Sequence, residues 1–218
     1  SCGGEADCPE SLFQELVDLV EAPIVLKGEI ADQYLDLPPE VIVTVMQSHQ
    51  RYVPLRQPNA TVDPLQLGAR TVLRSDFLLV GNGLPDASKT IVSGNQRVLS
   101  ARLADAEFFL NVDRRQPSEQ RRQELDRVTF AEGLGSLLDR TERISWMIDQ
   151  LLQVLATSDS LADHGRRAAH LCKNDLVSQM VGEFPELQGL MGGKYLLEEG
   201  EHRAVALAVA EHYQPAGA

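Results

Sequence analysis

A chain of 218 residues and 24.0 kDa has room for one large domain or two small ones. Its 43% hydrophobic and 24% charged residues exclude a disordered chain, a collagen-like fibre and a disulfide-framed miniprotein. The balance of 20 basic against 32 acidic residues, net −12, argues against a protein whose whole surface is built for nucleic acid.

In chain order, Cys2 and Cys8 lie in a Gly-rich leader and Cys172 stands alone in a helical stretch, so no disulfide framework is expected. Pro23 to Glu29 is predicted as a strand, with Ile24, Val25 and Leu26 as strand formers breaking against Gly28. Pro38-Pro39-Glu40 predicts a helix start, with proline in the first turn and an acid near the positive end of the dipole. Tyr52 to Leu55 and Phe77 to Val80 are predicted strands closed by turn residues, which makes the first half mixed α/β. From Ser93 the period changes: Ser93-Gly94-Asn95 is expected to cap a helix with Leu99, Leu103, Ala106 and Leu110 on its apolar stripe. Further amphipathic patterns run from Leu137 to Leu155, Asp163 to Val181 and Glu201 to Tyr213, so the second half is expected to be all helix. The fold class is therefore α+β, divided near the charged, proline-containing stretch Asp113 to Pro117.

The apolar runs Val41 to Met46 and Ala204 to Ala210 fall far short of the ~20 residues that cross a bilayer, and no basic-then-apolar leader is present. A reducing cytoplasm is the expectation, and the opening at Ser1 rather than Met suggests an excised piece.

Charge is unevenly spread. Residues 1–48 carry −9, residues 49–104 carry +4 through seven bases against three acids, and residues 105–218 carry −7. An anionic ligand is expected to meet the middle stretch, if that stretch is contiguous in space.

Several catalytic patterns fail on spacing. Gly189-Leu-Met-Gly-Gly-Lys-Tyr lacks the four-residue gap and the Ser or Thr of a phosphate loop, and reads as a glycine-rich helix end at which Lys194 and Tyr195 offer only point contacts to a phosphate. His164, His170 and Asp175 are separated by six and five residues, whereas one helical face presents ligands three or four apart. No Gly-x-Ser-x-Gly elbow occurs and Cys172 has no catalytic signature around it. The dense polar clusters are Ser48-His49-Gln50-Arg51-Tyr52 and Gly94-Asn95-Gln96-Arg97, whose guanidinium, amide and phenol groups suit phosphates and stacked bases. The same groups are equally consistent with solvated loops or internal ion pairs, for example Arg102 with Asp105.

At these residues the chain resembles the β subunit of the bacterial heterotetrameric glycyl-tRNA synthetase. The resemblance is carried by Leu37-Pro-Pro-Glu-Val, Ser48-His-Gln-Arg-Tyr, Val80-Gly-Asn-Gly, Gly94-Asn-Gln-Arg-Val-Leu-Ser-Ala-Arg-Leu-Ala-Asp-Ala-Glu-Phe-Phe, Leu134-Gly-Ser-Leu, and Lys173-Asn-Asp-Leu-Val-Ser-Gln-Met-Val-Gly-Glu-Phe-Pro-Glu-Leu-Gln-Gly-Leu-Met-Gly. These blocks span roughly Leu12 to Pro215. The resemblance implies an internal portion of a longer β subunit, with residues 1–112 similar to part of the editing-type domain of the phenylalanyl-tRNA synthetase β chain. Residues 113–218 would form a helical HD-like domain facing the acceptor stem of tRNA(Gly).

The resemblance further implies an α subunit that activates glycine with ATP and Mg, while this portion carries no catalytic residue and no cofactor of its own. Candidate RNA contacts are Arg51, Arg97, Arg102, Arg166, Arg167 and Lys173. The pair matching the metal-binding His-Asp of HD hydrolases is Asn174-Asp175, an amide in place of an imidazole, which implies lost metal chemistry. An editing pocket that admits only smaller side chains has nothing smaller than glycine to admit, so a scaffold role is expected there. The alternatives are a metal-dependent HD-type phosphohydrolase using His164, His170, Asp175 and Glu183, and a subunit-assembly module.

Overall fold

The computed structural model describes residues 3–83 and 85–215. Cys2 lies outside the described residues; Cys8 and Cys172 are free thiols. Two compact units divide the chain, residues 1–108 and 109–218, and the division falls inside the long helix α3 (Ser88–Asp113).

Unit 1 is built on a four-stranded antiparallel sheet in the order β1 (Glu5–Ala6), β3 (Val53–Arg56), β4 (Leu73–Asn82), β2 (Pro23–Glu29), with α1 (Glu10–Leu19) and α2 (Pro39–Thr44) between strands. Period-two alternation on β4 sends Leu73, Phe77 and Leu79 into the core. Strand β2 runs through Gly28, which faces Phe77 in register. A Cβ at Gly28 would lie 2.5 Å from the Phe77 ring, so the missing side chain is what lets the aromatic ring cross the strand. Pro39 opens α2 at its first turn, as the sequence predicts.

Helix α3 starts at Ser88 rather than at a cap on Ser93-Gly94-Asn95, and Gly94 sits inside it with open space around its missing Cβ. An exposed mid-helix glycine costs only about 1 kcal/mol, which a helix of 26 residues tolerates. The predicted stripe is correct: Leu99, Leu103, Ala106 and Leu110 are all buried.

Unit 2 is helical apart from a small hairpin, β5 (Thr129–Ala131) with β6 (Gly135–Ser136), which corrects the all-helix expectation. Its helices are α4 (Ser118–Glu124), α5 (Leu137–Leu155), α6 (Asp159–Leu171), α7 (Gln179–Glu183), α8 (Leu190–Glu198) and α9 (Arg203–Glu211). Ser136 and Asp139 form a reciprocal capping box that starts α5. The helical pattern expected from Asp163 to Val181 is interrupted: Lys173 adopts φ 68 and ends α6, and a 3-10 turn over Asn174–Val177 leads into α7. Among the described residues no helix is long and apolar enough to cross a membrane.

Candidate nucleic-acid interface

In unit 1 the two polar clusters meet. After α2 the chain widens into a π-type turn at Val45–His49, and Arg51 follows at φ 56, a conformation that disfavours a side chain by about 1–2 kcal/mol. Its guanidinium offsets this by donating to Ser48 O at 2.6 Å and to the Glu15 carboxylate at 2.8 Å. Tyr52 is buried and stacks on Phe77 with centroids 5.1 Å apart, and its hydroxyl donates to Asn95 Oδ1 at 2.5 Å. Burial pushes that phenol above its usual pKa, so it stays a donor. Asn95 Nδ2 donates to Ile91 O, and Gln96 Oε1 accepts from Glu29 N at 3.1 Å. These amides and the phenol therefore fasten α3 to the sheet.

The positive stretch 49–104 is not a positive surface. Arg51 pairs with Glu15, Arg56 with Asp7, Arg70 with Asp32 and Asp36, and Arg74 with Asp76, so acids of the N-terminal stretch neutralise most of it. What remains exposed lies on α3: Lys89 and Arg97, which carry no ion pair among the described residues, and Arg102. Lys89 and Arg97 are eight residues apart, just over two turns, so they share a side of the helix.

In unit 2 most polar groups singled out by sequence hold the fold. Arg166 pairs with Asp149 and Asp163, and Arg167 with Glu119 and Glu201. His170 Nε2 lies 3.0 Å from Glu119, and His164 stacks on His202 with centroids 4.1 Å apart. Asp175 is wholly buried; its Oδ2 accepts from Gly189 N at 2.5 Å and Gly192 N at 3.0 Å, capping α8. Desolvation raises its pKa above the usual carboxylate range. Glu183 is exposed on α7. Among the described residues no three His, Cys, Asp or Glu side chains form a group able to hold a metal ion, and His164, His170, Asp175 and Glu183 do not converge.

Lys194 and Tyr195 are buried within α8, which corrects the reading of them as phosphate contacts. The glycines beside them serve packing: a Cβ at Gly192 would lie 3.1 Å from the Asp175 carboxyl, and one at Gly193 would lie 2.5 Å from Ala206 O on α9. Tyr195 donates to Asp113 Oδ2 at 2.8 Å, and Asp113 also accepts from Gln179 N at 2.8 Å and Met180 N at 2.9 Å. Beside it the buried Arg121 guanidinium donates to Asp113 O, Gln116 O, Ser118 Oγ and Glu199, and lies over the Tyr195 ring. Sequence reasoning passed over this network, although Asp113, Arg121 and Glu199 were visible only as charges in a polar stretch.

The remaining candidate, Lys173, opens onto a different environment. It lines a cavity of about 360 Å³ between α5, α6 and α9, with Arg140, Cys172 and His212 as its other polar members. Burial lowers the Lys173 ammonium to about 8 and the His212 imidazole to about 4, and raises the Cys172 thiol. At neutral pH the cavity thus presents two cations, a neutral imidazole and a protonated thiol.

The family model for the glycyl-tRNA synthetase beta subunit matches residues 1–218. A glycine–tRNA ligase beta subunit from Acidithiobacillus ferrooxidans is 45% identical over 209 residues, which is 96% of this chain and 28% of the relative. One from Picosynechococcus is 44% identical over 216 residues, 99% of this chain and 29% of the relative. One from Desulforamulus reducens is 40% identical over 213 residues, 98% of this chain and 29% of the relative. The chain thus spans under a third of the length of these curated relatives.

Proposed function

The chain belongs to the glycyl-tRNA synthetase beta subunit family, and from that premise we propose that it is a tRNA-binding, non-catalytic portion of that subunit. In this reading it supports the ATP-dependent charging of tRNA(Gly) with glycine by an α subunit, in a cytoplasmic heterotetramer. The observation that carries the reading is the state of the polar groups. The candidate hydrolytic residues are tied into caps and ion pairs, whereas Lys89 and Arg97 stand exposed on one side of α3 without a carboxylate partner among the described residues. Cations left open to solvent on a rigid helix are suited to phosphate contacts, which position an RNA without reading its sequence. Unit 1 is read as part of an editing-like domain retained as scaffold, and unit 2 as an HD-like domain whose Asn174-Asp175 pair has exchanged metal ligation for helix capping.

Titration of an acceptor-stem minihelix tests this. Affinity is expected to fall with added salt, with a logarithmic slope on the order of one per phosphate neutralised. Removing Lys89 and Arg97 together (Lys89→Ala, Arg97→Ala) reduces that slope; absence of binding at low salt refutes the reading for this chain.

A further inference from the structure

The cavity between α5, α6 and α9 has the features of a ligand site. Its volume of about 360 Å³ lies in the range of small-molecule pockets. Its wall is mainly apolar, with Ile144 and Ile148 from α5, Ala168 from α6 and Ala208 from α9. Arg140 and Lys173 are set into this wall, and their partners are unusual for the unit. Arg114, Arg121, Arg122, Arg166 and Arg167 each meet a carboxylate. Arg140 instead lies over the Phe130 ring at 4.3 Å, and the Lys173 ammonium lies 3.3 Å from the centre of the Tyr213 ring. Neither has a carboxylate within ion-pair distance among the described residues.

Lys173 is only 4% exposed, and a buried ammonium with no counter-anion is unfavourable. An aromatic face recovers part of the lost hydration and an anion would recover much more. His212 contributes the opposite character. Its Nδ1 donates to Val209 O at 2.5 Å, which leaves Nε2 as an acceptor, and Nε2 is buried without a partner. The cavity therefore combines two unmatched cations, one unmatched acceptor and a dry wall.

We infer that this cavity binds a nucleoside monophosphate unit, its phosphate held by Arg140 and Lys173, its base against the apolar wall, and an N–H or O–H donated to His212 Nε2. Inorganic phosphate would satisfy the cations and leave the wall wet and Nε2 unmatched. A purely apolar ligand would bury the wall and leave both cations without an anion. The choice of a nucleotide among flat anions rests on the RNA-binding reading above; the cation pair, acceptor and wall do not. The nucleotide has two possible sources, a free nucleotide or an unpaired residue of a bound RNA, with the same chemistry.

Methyl NMR of the whole chain, read at Ile144 and Ile148, tests the inference with AMP, CMP, inorganic phosphate and the minihelix as probes. Saturable shifts at both methyls with a nucleotide, at concentrations where phosphate alone gives none, are expected. Arg140→Gln weakens nucleotide binding about tenfold or more, since hydrogen bonds to charged groups contribute roughly 1.5–3 kcal/mol. Lys173 is buried at a left-handed position, so Ala208→Phe at the exposed rim of the cavity serves as the second variant; it blocks entry while circular dichroism stays unchanged. Displacement of the nucleotide by the minihelix assigns the site to an RNA residue, and persistence of both together assigns it to a free nucleotide. A minihelix that binds without moving the two methyls, and equally well to wild type and Ala208→Phe, overturns the inference and leaves the RNA-binding reading standing. Phosphate binding as tightly as AMP overturns it as well, because the wall then contributes nothing.

Discussion

Replacing Asp113 by alanine is expected to be the most disruptive single polar change in unit 2. The carboxylate stands at the last residue of α3 and is 5% exposed. Its Oδ1 accepts from Gln179 N, and its Oδ2 accepts from Met180 N and the Tyr195 hydroxyl. The two amides open α7, so Asp113 acts as a helix cap supplied from a distant part of the chain. Alanine leaves all three donors in a site with no room for bulk water. At roughly 1–2 kcal/mol for each unsatisfied buried donor, the loss is roughly 3–6 kcal/mol. That compares with a total of about 5–15 kcal/mol for a typical domain. Tyr195→Phe removes only one donor and keeps the ring beneath Arg121, so it costs about 1 kcal/mol. Urea unfolding followed by circular dichroism measures both, and the double variant is expected to cost less than the sum because the two changes share a bond. A loss under about 1 kcal/mol for Asp113→Ala would refute the reasoning, since it would mean that water or another acceptor already serves the three donors.

Two further outcomes follow from the packing of unit 2. Gly193→Ala places a Cβ 2.5 Å from Ala206 O and 2.7 Å from Ala210 Cβ, so α8 and α9 must separate; a loss of roughly 1–3 kcal/mol in the same urea experiment is expected, and an unchanged midpoint contradicts the close approach. His212 is held neutral by burial, with Lys173 and Arg140 also opposing its charge, and its pKa falls from 6.5 to about 4. The unfolded chain therefore binds a proton below pH 6.5 that the folded chain refuses, so this group's contribution is complete above pH 6.5 and is lost as pH falls toward 4. Allowing for partial exposure, wild type should lose roughly 2 kcal/mol more than His212→Gln between those limits, measured as the difference of their urea midpoints at each pH; parallel curves would show that the imidazole is not desolvated.

The elements legible in the sequence are those whose cause is local. Pro39 at a first helical turn, the strand formers of β2 and the stripe from Leu99 to Leu110 each depend on neighbours a few residues away, and the structure reproduces them. The start of α3 was misread because Asn95 has the composition of a cap; its side chain instead accepts from Tyr52, 43 residues earlier in the chain. The helix expected to continue to Val181 stops at Lys173, a left-handed residue that no propensity scale anticipates at a lysine. The glycines near residue 190 suggested a phosphate loop, and their reason is the approach of Asp175 and of α9, which only the packed unit contains.

By itself the sequence determined the α+β class, the family and the apolar faces, because hydrophobic periodicity and motif order are properties of residues read in line. The tertiary structure alone decided the fate of the charges. Attraction between opposite charges and the cost of desolvation depend on distance in space and on burial, not on separation along the chain. The stretch that is +4 on paper is therefore largely matched by acids from residues 1–48 once folded. Arg140 and Lys173, undistinguished in sequence, emerge in the structure without a carboxylate partner among the described residues, at a dry cavity formed by three helices.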